Sequence, residues 1–209
     1  MISQESSSEA TSGSKANIET PETPFKEANE GFSRSLLAHD THEADTYIRN
    51  GLSPEQIEQR VSERLEAPEV QRALIREFSP YSDQINDNIR NLPELQIYQS
   101  QNLQENDVNG RPCLTADINP QQTDAMGTTN AERMASGRAP VDENGDALHL
   151  HHIGQKASSP LAELKAEVHQ KYDSVLHEKN IPSEVHREGN NWDAERAAHW
   201  KTRAQDFAN

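Results

Sequence analysis

Between about residues 43 and 92 the apolar positions recur at helical spacing. Ser53-Pro54-Glu55-Gln56 supplies an N-cap hydroxyl, a proline for the first helical position and a capping-box amide. Ile57, Val61 and Leu65 then repeat every fourth residue, which gathers them on one helix face. Pro68 restarts the chain, and Val70, Leu74, Ile75 and Phe78 predict a second amphipathic helix. Ser82 offers a cap for a third, carrying Ile85, Ile89 and Leu92. Three short helices with few aromatic residues make a thin core. Such a segment is a brace for the C-terminal half of the chain, an adaptor or a delivery element, and bracing is the simplest reading.

The pattern then changes. Leu95, Ile97 and Tyr98 suggest a short extended or helical stretch, and Val108-Asn109-Gly110-Arg111 holds the Asn-Gly pair that favours a tight hairpin. Thr128-Thr129-Asn130 caps a short helix through Met134, with Gly137 as its stop. Pro140-Val141 and the run Ala147 to His152 read as two strands around a turn containing Asn144-Gly145. Ser159-Pro160 opens a predicted helix with Leu161, Leu164, Val168 and Tyr172 on it, and Asn191 caps a last helix bearing Trp192, Trp200 and Phe207. Before all of this, Phe25, Phe32, Leu36 and Leu37 are too sparse for a core. The expected organisation is a disordered leader over 1–42, a helical segment over 43–93 and a domain over 94–209. The expected fold class is α+β, mainly helical, with a small β-hairpin in the C-terminal half.

Composition supports the sparse core. Of 209 residues only 32% are hydrophobic and 5% aromatic, and the mean hydropathy is −0.97, well short of the roughly half-apolar usage of a fully packed chain. No apolar run approaches the ~20 residues of a membrane-spanning helix. The opening MISQESSSEATSGS has neither the charged start nor the apolar stretch of a signal peptide. A single cysteine, Cys113, excludes an internal disulfide and any multi-cysteine zinc site; beside a turn it reads as a small apolar residue. The net charge of −15 divides into −9 over residues 1–100 and −6 over 101–209. Neither half has the broad positive surface that drives nonspecific nucleic-acid binding. Any nucleic-acid chemistry must rest on a local site.

The histidines mark where that site lies. Seven of nine fall at 149, 151, 152, 169, 177, 186 and 199. In a strand, adjacent side chains face opposite ways, so His151 and His152 at a strand end take different tasks, one toward a metal and the other toward substrate. A third imidazole from a packed helix would leave open positions for phosphate oxygens. His169 and His177 are eight residues apart, about 12 Å along an unbroken helix. They share a metal only if the helix breaks near Tyr172-Asp173, which spacing alone leaves open. His149 shares strand parity with His151, though an exposed strand histidine is the simpler reading. His186 and His199 look peripheral, Arg111 and Arg133 are phosphate contacts or structural ion pairs, and Trp192 and Trp200 are core.

The run from about 94 to 205 resembles the LHH family of the HNH/endonuclease VII nuclease superfamily. The matching residues are Asn109-Gly110-Arg111-Pro112, Thr129-Asn130-Ala131-Glu132-Arg133-Met134, Leu150-His151-His152-Ile153-Gly154-Gln155 and Ser159-Pro160-Leu161-Ala162-Glu163-Leu164. His169, Leu176-His177, Glu195-Arg196 and Trp200-Lys201 complete them. The resemblance implies a ββα-metal (His-Me finger, treble-clef) nuclease core. It implies His151 as first metal ligand, His169 as the next, and His177 as a further ligand or a phosphate contact. His152 would be the general base, and Gln155 would orient the base or the scissile phosphate. The superfamily's central Asn has no counterpart; Ser159 stands nearest. One divalent ion (Zn²⁺, Ni²⁺, Mn²⁺ or Mg²⁺) is the expected cofactor.

The function implied is a metal-dependent endonuclease hydrolysing DNA, with RNA not distinguished. Family members commonly serve as antibacterial polymorphic toxins. The expected partners are therefore DNA, a cognate immunity protein and a secretion-system component, without membrane insertion. The expected location is the cytoplasm of a target bacterial cell, reached without a standard signal peptide. The alternative is a non-enzymatic effector or adaptor, with a structural metal-binding finger and a helical partner-binding segment.

Overall fold

A computed structural model describes residues 50–182, 184–185 and 191–208. The chain divides into two compact units, Met1–Glu58 and Gln59–Asn209, the first described only over residues 50–58. The expected leader and His186 lie outside the described residues.

Helix α1 is Pro54–Glu66. Its start is the expected capping box: the Ser53 N–H donates to Gln56 Oε1 at 2.9 Å and the Gln56 N–H to Ser53 Oγ at 3.4 Å. Ile57, Val61 and Leu65 are half-buried, with polar residues between them exposed. Helix α2, Pro68–Phe78, buries Leu74 and Ile75. The third predicted helix divides in two. Helix α3 covers only Asp83–Asn86, and the Ser82 hydroxyl donates to Glu105 Oε1 at 2.5 Å instead of capping it. A new helix, α4, begins at Leu92 and runs to Ser100, with the Asn91 side chain accepting the Glu94 N–H and Pro93 in the first turn. Ile85, Ile89 and Leu92 are buried as the periodicity requires, but on separate elements. The stretch around Leu95 and Tyr98 is thus helical and largely buried, with Ser100 exposed at its end.

Strands β1 (Gln104–Val108) and β2 (Arg111–Thr115) pair antiparallel with Val108 opposite Arg111. The intervening Asn109 and Gly110 have φ of 60° and 76°, the left-handed pair that a two-residue hairpin needs. Helix α5, Asn130–Ala135, starts within the predicted Thr128-Thr129-Asn130 cap, with Thr129 and Glu132 forming a capping box. Around the Asn144-Gly145 turn only a single bridge forms, Val141 to Ala147. The next strand, β3 (His149–His152), pairs instead with β4 (Leu161–Leu164).

The helix predicted to open at Ser159-Pro160 does not include residues 161–164, although Leu, Ala and Glu are strong helix formers. They form a strand in the interior of the sheet, whose order is β1-β2-β4-β3 with β2 and β4 parallel. All four residues of β4 are buried. Pairing on both edges and burial on both faces outweigh a propensity worth tenths of a kcal/mol per residue. The helix starts later, as α6 (Ala166–Lys171), followed by α7 (Asp173–Leu176) and α8 (Trp192–Arg203). Asn191 occupies the N-cap position of α8 without a side-chain capping bond.

One face of the sheet packs against α5 and α8, where Cys113, Met134, Leu150, Leu161 and Trp200 share a core and Trp192 leans on its edge. Glu163, on the same face, is 1% exposed and holds a charged network. Arg203 Nε donates to Glu163 Oε1 at 2.8 Å, His199 Nε2 lies 2.7 Å from the same oxygen, and the Ala116 N–H donates to Oε2. His199 is therefore a buried core residue, not a peripheral one. No helix among the described residues is long and apolar enough to cross a membrane.

Candidate metal centre

Strand β3 presents its histidines to two different helical layers. His149 and His151 point with Ala162 and Leu164 to one face, while Leu150 and His152 pair with Glu163 and Leu161 on the other. Across the first face lie α6 and α7. The helix breaks at Tyr172, whose ψ of 23° and φ of −105° end α6. The chain then restarts as α7 and delivers His177, in extended conformation, at its end. This break resolves the spacing problem. The rings of His169 and His177 stand 5.0 Å apart between centroids, those of His151 and His177 5.0 Å, and those of His151 and His169 5.3 Å.

One ring nitrogen from each of His151, His169 and His177 falls within 4.8 Å of the others. His151 is 3% exposed, and its Nε2 has no hydrogen-bond partner among the described residues. A buried polar atom left this way costs about 1–3 kcal/mol, which ligation of a metal would remove. Burial, and then the neighbouring imidazoles of His169 and His177, hold His151 well below the usual histidine range. The same causes, with His149 contributing, bring His169 down to about 4. Both rings are neutral near pH 7, the form that ligates. The donor set fits a divalent ion.

The ligands have outer partners. His177 Nδ1 lies 2.8 Å from Asp173 Oδ1, so the carboxylate accepts the ring N–H and Nε2 keeps its lone pair. His149 Nδ1 lies 3.3 Å from His169 Nδ1. His149 is thus half-buried against a candidate ligand, not an exposed strand residue. Gln155 has φ of 61°, and its side-chain oxygen accepts the Glu178 N–H at 2.6 Å and Arg90 Nη1–H at 3.2 Å.

His152 faces the other way, 4% exposed, with its ring 4.6 Å from that of Trp192 and its Nε2 3.9 Å from Glu195 Oε2. Glu195 in turn pairs with Arg111, which also donates to the carbonyls of Ser159 and Ala157. Arg111 is structural. Ser159 donates its hydroxyl to the Lys156 carbonyl at 2.8 Å, within its own turn.

His149, His151, His152, His169 and His177 all line one cleft of about 560 Å³. Arg133, Arg138 and Arg196 line it too, and no aspartate or glutamate does among the described residues. Arg133 also pairs with Asp124 at 2.5 Å, a structural ion pair. Two of these arginines are offset by carboxylates outside the lining, Arg133 by Asp124 and Arg196 by Asp193 at 3.1 Å.

Residues 129–206 match the family model described as LHH, a nuclease of the HNH/ENDO VII superfamily with conserved LHH. This segment is similar to LHH domains. The motif of that description is Leu150-His151-His152, on β3. The match begins at Thr129, so the β1–β2 hairpin and the helices before it lie N-terminal to the matched LHH residues. No solved structure gives a significant match to the chain. Sequence reasoning singles out His151, His169 and His177, but misses the places of Asp173, His149, Glu195 and Arg90. Asp173 carries a readable signal, a carboxylate four residues before a histidine, and His149 another, its strand parity with His151.

Proposed function

We propose that this chain is a metal-dependent endonuclease that hydrolyses DNA phosphodiester bonds in the cleft lined by His151 and His152. The observation that carries the reading is the three-imidazole cluster of His151, His169 and His177 beside His152, in a cleft with arginines and no carboxylate lining it among the described residues. The antiparallel β3–β4 pair and α6 then act as the ββα-metal finger. Three imidazole ligands favour Zn²⁺, Ni²⁺ or Mn²⁺ over Mg²⁺, which prefers oxygen ligands.

His152 takes the proton from the attacking water; imidazole suits this because its ordinary pKa lies near neutral. Trp192 packs on its ring and fixes the plane, while Glu195, anchored by Arg111, stands beside Nε2. Gln155 positions the His177 segment through the Glu178 N–H. Arg138 and Arg196, in the lining of the same cleft, are the cations available to phosphate oxygens. The chemistry a divalent ion supplies here is stabilisation of charge on the phosphate and the leaving oxygen.

The test is incubation of purified protein with supercoiled plasmid under Mg²⁺, Mn²⁺, Ni²⁺ or Zn²⁺ in turn, with an EDTA control. His152→Ala should lower cleavage by about 10²–10⁴-fold, the usual worth of a positioned base, and leave metal affinity unchanged. RNA run in parallel decides the sugar. If neither nucleic acid is cut and His151→Ala and His169→Ala unfold the chain, the finger is structural and the adaptor reading replaces this one. The antibacterial toxin role, with an immunity protein and delivery into a target-cell cytoplasm, belongs to the same proposal and is supported by the family resemblance. Expression in a bacterial cytoplasm should arrest growth for wild type and not for His152→Ala.

A further inference from the structure

The third histidine of the cluster is held from outside the LHH match. Arg90, between α3 and α4, sends its guanidinium across to two elements of the metal centre. Nη2–H donates to the Val175 carbonyl at 2.5 Å, and Nη1–H donates to Gln155 Oε1 at 3.2 Å. Gln155 Oε1 also accepts the Glu178 N–H, so the residues on both sides of Leu176-His177 are tied to one guanidinium. Arg90 is itself fixed. Its backbone N–H and its Nε–H both donate to Glu94 Oε2, at 2.8 and 3.3 Å, and the other Glu94 oxygen accepts the Tyr98 hydroxyl at 2.8 Å. Glu94 and Tyr98 are fully buried on α4. The same segment fits the turn after the Leu-His-His motif. The Asn88 carbonyl oxygen sits 3.0 Å from where a Cβ on Gly154 would be, and the residue has φ of 77°, so the two backbones meet at a position that favours glycine.

We infer that Arg90 is a positioning residue for His177, and that the segment from Asn88 to Tyr98 is a built part of the metal centre. This role rests on the metal-centre reading of the histidines. His177 lies in extended backbone after a four-residue helix, a short element that does not hold a ring in place alone. A planar fork that bonds the Val175 carbonyl on one side of it and, through Gln155, the Glu178 N–H on the other supplies that constraint, and a lysine cannot reproduce the fork. Loss of an outer-shell support of this kind lowers metal affinity by roughly 10–100-fold.

The experiment is a titration of the full chain with Zn²⁺ or Ni²⁺ by calorimetry, for wild type, Arg90→Lys, His177→Ala and the double variant. Arg90→Lys keeps a cation for Glu94 and loses the bonds to Val175 and Gln155. Its dissociation constant should rise about 10–100-fold, and that rise should vanish in the His177→Ala background. Leu74→Ala, a buried position on α2 outside this segment, is the control for general loosening and should bind as wild type does. An unchanged constant for Arg90→Lys, an equal rise in both backgrounds, or an equal rise in Leu74→Ala overturns the positioning role. Hydrogen exchange at the Glu178 amide reads the same contact without metal and should accelerate at least about tenfold in Arg90→Lys. If wild type binds neither ion, the metal reading fails and the exchange result alone decides Arg90: acceleration upholds its hold on the His177 segment, and unchanged exchange overturns it.

Discussion

Asp173 Oδ1 lies 2.8 Å from His177 Nδ1, and the carboxylate opens the four-residue helix α7 that the histidine closes. The carboxylate can only accept, so it selects the His177 tautomer with the proton on Nδ1 and leaves Nε2 as the donor to a metal. The break at Tyr172 that brings His177 back toward His169 also starts the turn that supplies this carboxylate. One short element thus carries both the ligand and its orienting partner, in a chain with a thin core.

Replacing Asp173 by Ala should therefore weaken divalent-ion binding by about 10–100-fold. The side chain is largely exposed, so thermal stability of the metal-free chain should stay close to wild type. Calorimetric titration together with a melting curve separates the two effects.

The metal-free chain should lose stability as the pH falls below neutral. His169 has a folded pKa of about 4 against an ordinary 6.5, and His151 is displaced in the same direction. Between pH 6.5 and 4 the unfolded state binds more protons at His169, so stability rises with pH across that window. Below about 4 the His169 contribution is gone. Thermal midpoints in chelator at about pH 7, 5.5 and 4.5 should fall in that order, and a His169→Phe variant should show a shallower fall.

Gly154→Ala should be destabilising for two reasons. The residue has φ of 77°, and a left-handed conformation costs a non-glycine residue roughly 1–2 kcal/mol. The added methyl would also meet the Asn88 carbonyl oxygen at 3.0 Å. Urea denaturation should show a loss above about 1 kcal/mol by the first effect alone. Gly145→Ala has a similar φ of 86° but open space around it, so it isolates the backbone part.

Glu163→Ala would leave Arg203 buried without its carboxylate, although Asp206 still reaches the other end of the guanidinium. Breaking a buried pair from one side costs about 3–5 kcal/mol. The same substitution removes no group from the histidine cleft. Unfolding measured in urea should show the loss, and metal affinity of the fraction that remains folded should be unchanged.

Much of this molecule is readable along the chain because the signals are local. The capping boxes at Ser53–Gln56 and Thr129–Glu132 and the Asn109-Gly110 hairpin depend on residues within a few positions of one another. The opposite facing of His151 and His152 comes from strand geometry alone. Several elements escape a local reading for one reason. Residues 161–164 have helical composition and yet form an interior strand, and the predicted helix over 82–92 divides into two, because pairing with β2 and β3 and packing around Glu94 act between distant residues.

The sequence by itself determined the chemistry on offer: imidazoles clustered in the C-terminal half, one cysteine, a thin core and an acidic charge without a basic stripe. Tertiary structure alone decided which imidazoles meet. The turn at Tyr172 brings His177 back to His169, and the register of β3 against β4 aims His151 toward both. It decided too that Arg90 and Asp173 stand behind the ligands while Glu163 and His199 sit in the core. Such choices depend on burial and on hydrogen bonds between residues as far as 85 positions apart, and no local window of sequence contains both partners.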